Sequence, residues 1–129
     1  MALRLAIDVN RYSDLCRGDE FTLETIRRAS EVFFPFVAVA EIRAGFLGGT
    51  HAKQNEARFG EFMRSQRVRT LFADEATIQL YADLVVSLRK TGKPVPTNDL
   101  WIAALAIQHD LTLFTRDRHF DNIPRLSRM

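Results

Sequence analysis

The sequence has a single cysteine, Cys16, which excludes an internal disulfide and a zinc site built from several thiolates, and fits a reducing compartment. Long hydrophobic runs are missing too. The longest, Val32–Ala40, holds nine residues and contains Pro35, well short of the roughly 20 that a membrane-spanning helix needs. Asp8 interrupts the only apolar stretch near the start, so no secretory leader is expected, and the protein is expected to be soluble and cytoplasmic. Six glycines and four prolines are scattered along the chain, leaving no low-complexity linker and no visible repeat. Neither sign of charge dominates: 18 Lys and Arg against 16 Asp and Glu give +2, with a pI near 9.0. That balance permits a nucleic-acid partner without requiring one. His51, His109 and His119 stand in separate segments without ligand spacing, which disfavours a histidine metal site. What is present is a chain of 129 residues, 47% hydrophobic and 26% charged, of a size that suits one compact domain over residues 1–129.

Strand-like and helix-like segments alternate. Leu3–Val9 reads as a first strand, followed by a short helix from Asn10 to about Arg17 and a second over Thr22–Val32, with Thr22 as N-cap. Phe34–Val39 reads as the second strand, with Pro35 tolerated near its start, and Ala40–Leu47 as a short helix stopped by Gly48 and Gly49. Ala52–Gln66 is a polar helix with an apolar stripe at Phe59, Phe62 and Met63. A third strand, Val68–Phe72, leads to a long helix over Glu75–Lys90. The loop Thr91–Pro96 precedes a helix capped by Thr97 or Asn98 and running to about His109, apolar nearly all round and therefore deeply buried. Leu111–Thr115 is the fourth strand, and Arg116–Met129 an irregular tail. This alternation predicts an α/β fold, a three-layer sandwich with helices on both faces of a central parallel sheet.

Individual acids in such a chain carry little meaning, but their placement does. Sites in open parallel sheets form beyond the carboxyl ends of the strands. Asp8 ends the first strand, Glu41 lies two residues past the second, Asp117 two past the fourth, and Asp99 opens the buried helix that feeds the fourth. Each alone is also readable as a helix cap or first-turn acid. Asp8 and Glu41 follow apolar residues and should be half buried, yet no neighbouring Lys or Arg offers Asp8 a local partner. Carboxylates gathered in a low-dielectric cleft repel one another unless a divalent cation neutralises them, and oxygen ligands favour magnesium or manganese over zinc. Asp74 also follows a strand but reads as the N-cap of the next helix.

Four fragments carry a family resemblance: Leu5-Ala-Ile-Asp-Val-Asn10, Val37-Ala-Val-Ala-Glu-Ile42, Asn98-Asp-Leu-Trp-Ile-Ala-Ala104 and Leu113-Phe-Thr-Arg-Asp-Arg-His-Phe120. In this order and spacing the chain resembles a PIN domain, most closely a VapC-type toxin of the type II toxin–antitoxin systems. The resemblance implies that Asp8, Glu41, Asp99 and Asp117 bind magnesium or manganese, and that Asn10 and Thr115 orient those carboxylates. It further implies cleavage of RNA, neutralisation by a cognate antitoxin protein, and a homodimer. Val9 departs from the Thr or Ser often found there. Asp121 either supplements the site or is a plain turn acid, and Arg116 and Arg118, with Arg125 and Arg128, either contact RNA phosphates or form a solvated basic tail. His119 either touches RNA or makes surface hydrogen bonds. An antitoxin segment needs an apolar groove, for which the short helices spanning Phe21 to Phe46 and the stripe at Phe59 to Met63 are the candidates. A haloacid-dehalogenase-type phosphatase would want a second Asp where Asn10 stands. The rival outside catalysis is a PIN fold that binds RNA or protein without cleaving, against which four retained acids argue.

Overall fold

A computed structural model of the chain describes residues 2–129. Its elements are β1 (Arg4–Ile7), α1 (Val9–Cys16), α2 (Glu20–Arg28), β2 (Glu31–Pro35), α3 (Phe36–Leu47), α4 (Ala52–Met63), β3 (Val68–Leu71), α5 (Glu75–Thr91), α6 (Thr97–Gln108), β4 (Thr112–Phe114) and a 3-10 turn over Arg118–Asn122. The four strands form a parallel sheet in the order β3-β2-β1-β4. The chain therefore builds outward from β1 in one direction through β2 and β3, then returns to add β4 on β1's other side. The carboxyl ends of β1 and β4 are the switch point at which such sheets open a crevice.

Alternation along the strands divides the core into two layers. Leu5, Ile7, Val32, Phe34 and Phe114 face α1–α4 and pack with Tyr12, Ile26, Val39, Ile42 and Phe59. Ala6, Phe33 and Leu113 face the other way, onto Leu84 and Leu88 of α5 and Ile102, Ala103, Ala104 and Ala106 of α6. Small residues in α6 let it lie close to the sheet, and Ile102 through Ala106 are all inaccessible to solvent, as the uninterrupted apolar sequence predicts. The expected three-layer α/β/α sandwich is the observed fold.

The second strand departs from expectation. Phe34–Val39 was to be extended, but the strand is Glu31–Pro35 and Phe36 already begins α3. Pro35 has no N–H for a ladder, and with φ −55° it caps α3 instead of opening a strand. The nine-residue apolar run is thus shared between a strand and a helix, both buried, and hydrophobicity alone does not mark where period two gives way to 3.6. Similarly, α2 begins at Glu20 because Asp19, not Thr22, caps it: the Asp19 carboxylate accepts from the Thr22 backbone N–H at 3.0 Å and the Thr22 hydroxyl at 2.7 Å. It ends at Arg28, where Ser30 turns the chain by donating its N–H to the Leu3 carbonyl at 2.8 Å. Asp74 caps α5 in a reciprocal box with Thr77, at the end of the edge strand β3, as expected. The tail is more ordered than its sequence suggests. Phe120, Ile123 and Leu126 are buried, and Ser127 to Met129 pair with Leu113 and Thr115 along the outer edge of β4. Among the described residues no helix is long and apolar enough to cross a membrane.

Candidate metal centre

Asp8 is the first residue past β1 and the N-cap of α1, only 6% exposed. One carboxylate oxygen accepts from the Val9 N–H at 2.9 Å. The other accepts from the Thr115 hydroxyl at 2.7 Å and the Asn10 amide at 3.3 Å. Because β1 and β4 are adjacent, Thr115, one residue past β4, meets Asp8 directly. Its oxygen also accepts from the Asp117 backbone N–H at 3.0 Å, and Asn10 accepts from the Arg116 N–H at 3.2 Å. These bonds fix the carboxylate of Asp8 and, through the backbone, the position of Asp117.

Asp117 caps the 3-10 turn through the His119 N–H at 2.9 Å. Asp99, in the first turn of α6, faces it: ligand atoms of Asp99, Asp117 and His119 all lie within 4.8 Å of one another. His119 Nδ1 stands 3.0 Å from Asp117 Oδ1 and 3.4 Å from Asp99 Oδ2. Burial raises the pKa of Asp8, with the nearby negative charge of Asp117 adding to it and hydrogen bonds from Thr115 and Val9 opposing. Asp99 is pushed up to about 6, first by burial and then by the charges of Asp117 and Asp8, with His119 partly offsetting them. Neither Lys nor Arg pairs with any of the three acids among the described residues. Carboxylates gathered beside one imidazole, with no Lys or Arg to neutralise them, suit a divalent cation.

Glu41 differs from its expected setting. It sits in the second turn of α3 and is exposed, because the chain becomes helical at Phe36 and the next residue, Ile42, takes the buried position. It remains at the rim of the same crevice, where Oε1 accepts from the amide of Asn98, the neighbour of Asp99, at 3.1 Å. Asp121 is exposed and engaged by Arg128 at 3.1 Å, outside the group of approaching ligand atoms. Arg118 is exposed and makes no ion pair among the described residues. The guanidinium of Arg116, by contrast, is held by Asp14 through two bonds of 2.8 and 3.0 Å.

Asp14 and His119 are the residues whose part in the site the sequence reading missed. Asp14 is buried under Arg116, Arg11 and Arg17, and those arginines, Arg116 foremost, lower its pKa. Its position six residues after Asp8, on the inner side of α1, is the only sequence signal it has. His119 was read as an RNA contact or a surface hydrogen-bonding group; it is exposed and does pair with Asp117, but its place among the acids was not foreseen, and its two-residue spacing from Asp117 on a capped turn was the available clue.

The chain is thus a parallel α/β sandwich with carboxylates gathered at the switch point of its sheet. The PIN domain family matches residues 6–126, and the chain belongs to it. Ribonuclease VapC4 of Mycobacterium tuberculosis is 34% identical over 88 residues, covering 68% of each chain. VapBC2 of Rickettsia felis, solved bound to a DNA fragment from its promoter, superposes with a TM-score of 0.88 at 20% identity over 98% of both chains. VapBC-5 of Mycobacterium tuberculosis, a member of the VapBC family of toxin-antitoxin systems, gives 0.73 at 24% identity over 100% of this chain and 98% of that one.

Proposed function

We propose that the chain is a VapC-like toxin: a magnesium- or manganese-dependent endoribonuclease that hydrolyses RNA phosphodiester bonds and is inhibited by a cognate antitoxin. The observation that carries this reading is the approach of Asp99, at the start of α6, to Asp117, past the end of β4, with Asp8 at the end of β1 near enough for its charge to act on Asp99, and no Lys or Arg paired with any of the three among the described residues. The relatives named as ribonucleases support the substrate. Asp8, Asp99 and Asp117 would hold the cation, with Glu41 reaching in from the rim. When bound, it supplies Lewis-acid stabilisation of charge at the phosphorus and acidifies the attacking water.

The chain's own residues perform the positioning. Thr115 and Asn10 keep Asp8 in one orientation, and the Thr115 hydroxyl also fixes the backbone of Asp117, so two acids are set by one side chain. No Ser or Cys nucleophile is needed. Exposed Arg118, beside Asp117, is suited to an incoming phosphate.

For the antitoxin, the surface best suited is an apolar cleft of about 870 Å³ lined by Leu15, Phe21, Leu23, Ile26 and Phe62. Phe21 is 57% and Leu23 43% exposed, a cost in water that a partner segment removes. A homodimer completes the proposal, with the half-buried Trp101, stacked on Tyr81 at 4.1 Å beside Phe36, as its contact surface.

Purified protein should cleave structured RNA with magnesium or manganese and lose activity on chelation. Expression without an antitoxin should arrest growth, and Asp117→Asn should relieve the arrest. Arrest that persists in that variant favours a PIN fold that binds RNA or protein without cleaving.

A further inference from the structure

A second cleft, of about 330 Å³, opens beside the carboxylate group between α1, α3 and α4. Val9, next to Asp8, and Glu41, at the rim of the acidic crevice, are among its lining residues. Its walls carry Phe46 from α3, Asn55 and Arg58 from α4, and Arg17 from α1. These are the groups that a single flipped-out nucleotide requires: an aromatic face for stacking, an amide for a base edge, and cations for phosphate. Phe46 is half buried and anchored on Phe59 at 6.2 Å, so its ring is held in place rather than free in solvent. Arg58 is exposed and makes no ion pair among the described residues, leaving its charge available. The cleft proposed for the antitoxin, in contrast, has five apolar residues, Leu15, Phe21, Leu23, Ile26 and Phe62, with Glu20, Glu24, Arg27 and Arg67 also lining it. A hydrophobic partner segment suits that surface, and an anionic, planar one suits this.

We infer that this cleft between α1, α3 and α4 is a subsite for one nucleotide of single-stranded RNA, adjoining the scissile phosphate, with Arg58 meeting phosphate and Asn55 reading the base. The inference rests on the ribonuclease reading and gives it a location for sequence preference. It places the nucleotide beside Asp8 and Glu41 and predicts that base preference resides in α4, a helix that contributes nothing to the carboxylate group.

Cys16, the only cysteine in the chain, is exposed on the cleft wall and serves as a reporter. The rate of its alkylation by N-ethylmaleimide is measured in the Asp99→Asn protein, which leaves RNA uncut, with and without a short single-stranded RNA whose binding is followed separately by fluorescence anisotropy. Saturating RNA should slow alkylation at least about fivefold, because a seated nucleotide blocks access to the thiol. In the otherwise unaltered enzyme, Arg58→Ala should raise KM for RNA about tenfold with kcat within about twofold, and Asn55→Ala should change which base is preferred at the cut. RNA that binds and is cleaved while Cys16 reacts at an unchanged rate overturns the subsite and leaves the ribonuclease intact. Protection by a partner protein but not by RNA overturns it equally. Failure of the protein to bind or cleave any RNA removes both readings.

Discussion

In the proposed reading, Asp99 is the residue on which metal and proton would compete. Its pKa in the folded protein, about 6, exceeds the ordinary 3.8, so the folded state holds the proton more tightly than the unfolded chain does. That contribution to stability is complete below pH 3.8 and lost as pH rises through 6, and Asp8 shifts in the same direction. The metal-free protein should therefore melt at a lower temperature at pH 7.5 than at pH 5, the difference from Asp99 being on the order of 1 kcal/mol. Added divalent cation should stabilise more at pH 7.5 than at pH 5. A melting temperature that is flat or rises over this window without metal contradicts the cluster. By the same linkage, calorimetric metal binding near pH 6 should release protons, and the release should fade by pH 8. Thr115→Val removes a hydroxyl that serves both Asp8 and Asp117; it should lower cleavage on the order of 10- to 100-fold while the protein stays folded. Asp8, Asp99 and Asp117 were legible as candidates because each stands at a strand end or helix start that the sequence marks, whereas Asn10 and Thr115 were legible only through the family resemblance. The exposure of Glu41 was not, since it depends on where a strand becomes a helix.

Among elements, α1 does more than cover the sheet. Its N-cap is Asp8, and one and a half turns later Asp14 grips the arginine that separates Thr115 from Asp117. Helix and post-β4 loop are thereby tied at both ends of α1, by Asn10 to the Arg116 backbone and by Asp14 to its side chain. Asp14→Asn strips the charge that three arginines share and should cost about 2 kcal/mol or more, seen as a melting temperature several degrees lower. An unchanged melting temperature means the ion pairs contribute nothing. Helices with local signals, such as α5 with its Asp74–Thr77 box and left-handed Gly92 stop, were readable from sequence almost to the residue. The β2–α3 junction was not. Val32 to Ala40 is apolar throughout because both elements are buried, and only Pro35, read as a tolerated strand residue, marked the change. Likewise the Asp14–Arg116 pair joins residues 102 apart, so nothing in either neighbourhood announces it.

Across the whole molecule, the order β3-β2-β1-β4 brings together acids from widely separated stretches of chain. The alternation of elements made the three layers and the parallel sheet legible, and strand ends made the crevice legible, because both follow from periodicity and polarity. Clefts between helices depend on side-chain lengths and crossing angles, which is why the apolar groove was readable only as a region and the nucleotide-sized cleft not at all. The net charge of +2 also takes on a shape. With the four candidate acids set against a divalent cation, twelve acids remain against 18 bases, a surplus suited to a polyanion around a metal-loaded centre. RNA affinity should accordingly fall with salt, and binding that ignores ionic strength argues against a phosphate-guided surface.

The most direct measurement is cleavage of RNA by the purified protein, followed in parallel with an Asp99→Asn preparation made the same way. Cleavage should require magnesium or manganese, stop on chelation, return when the metal is restored, and be absent from the variant. Equal cleavage by the variant, or cleavage undiminished by chelator, would contradict a metal-dependent nuclease centred on these carboxylates.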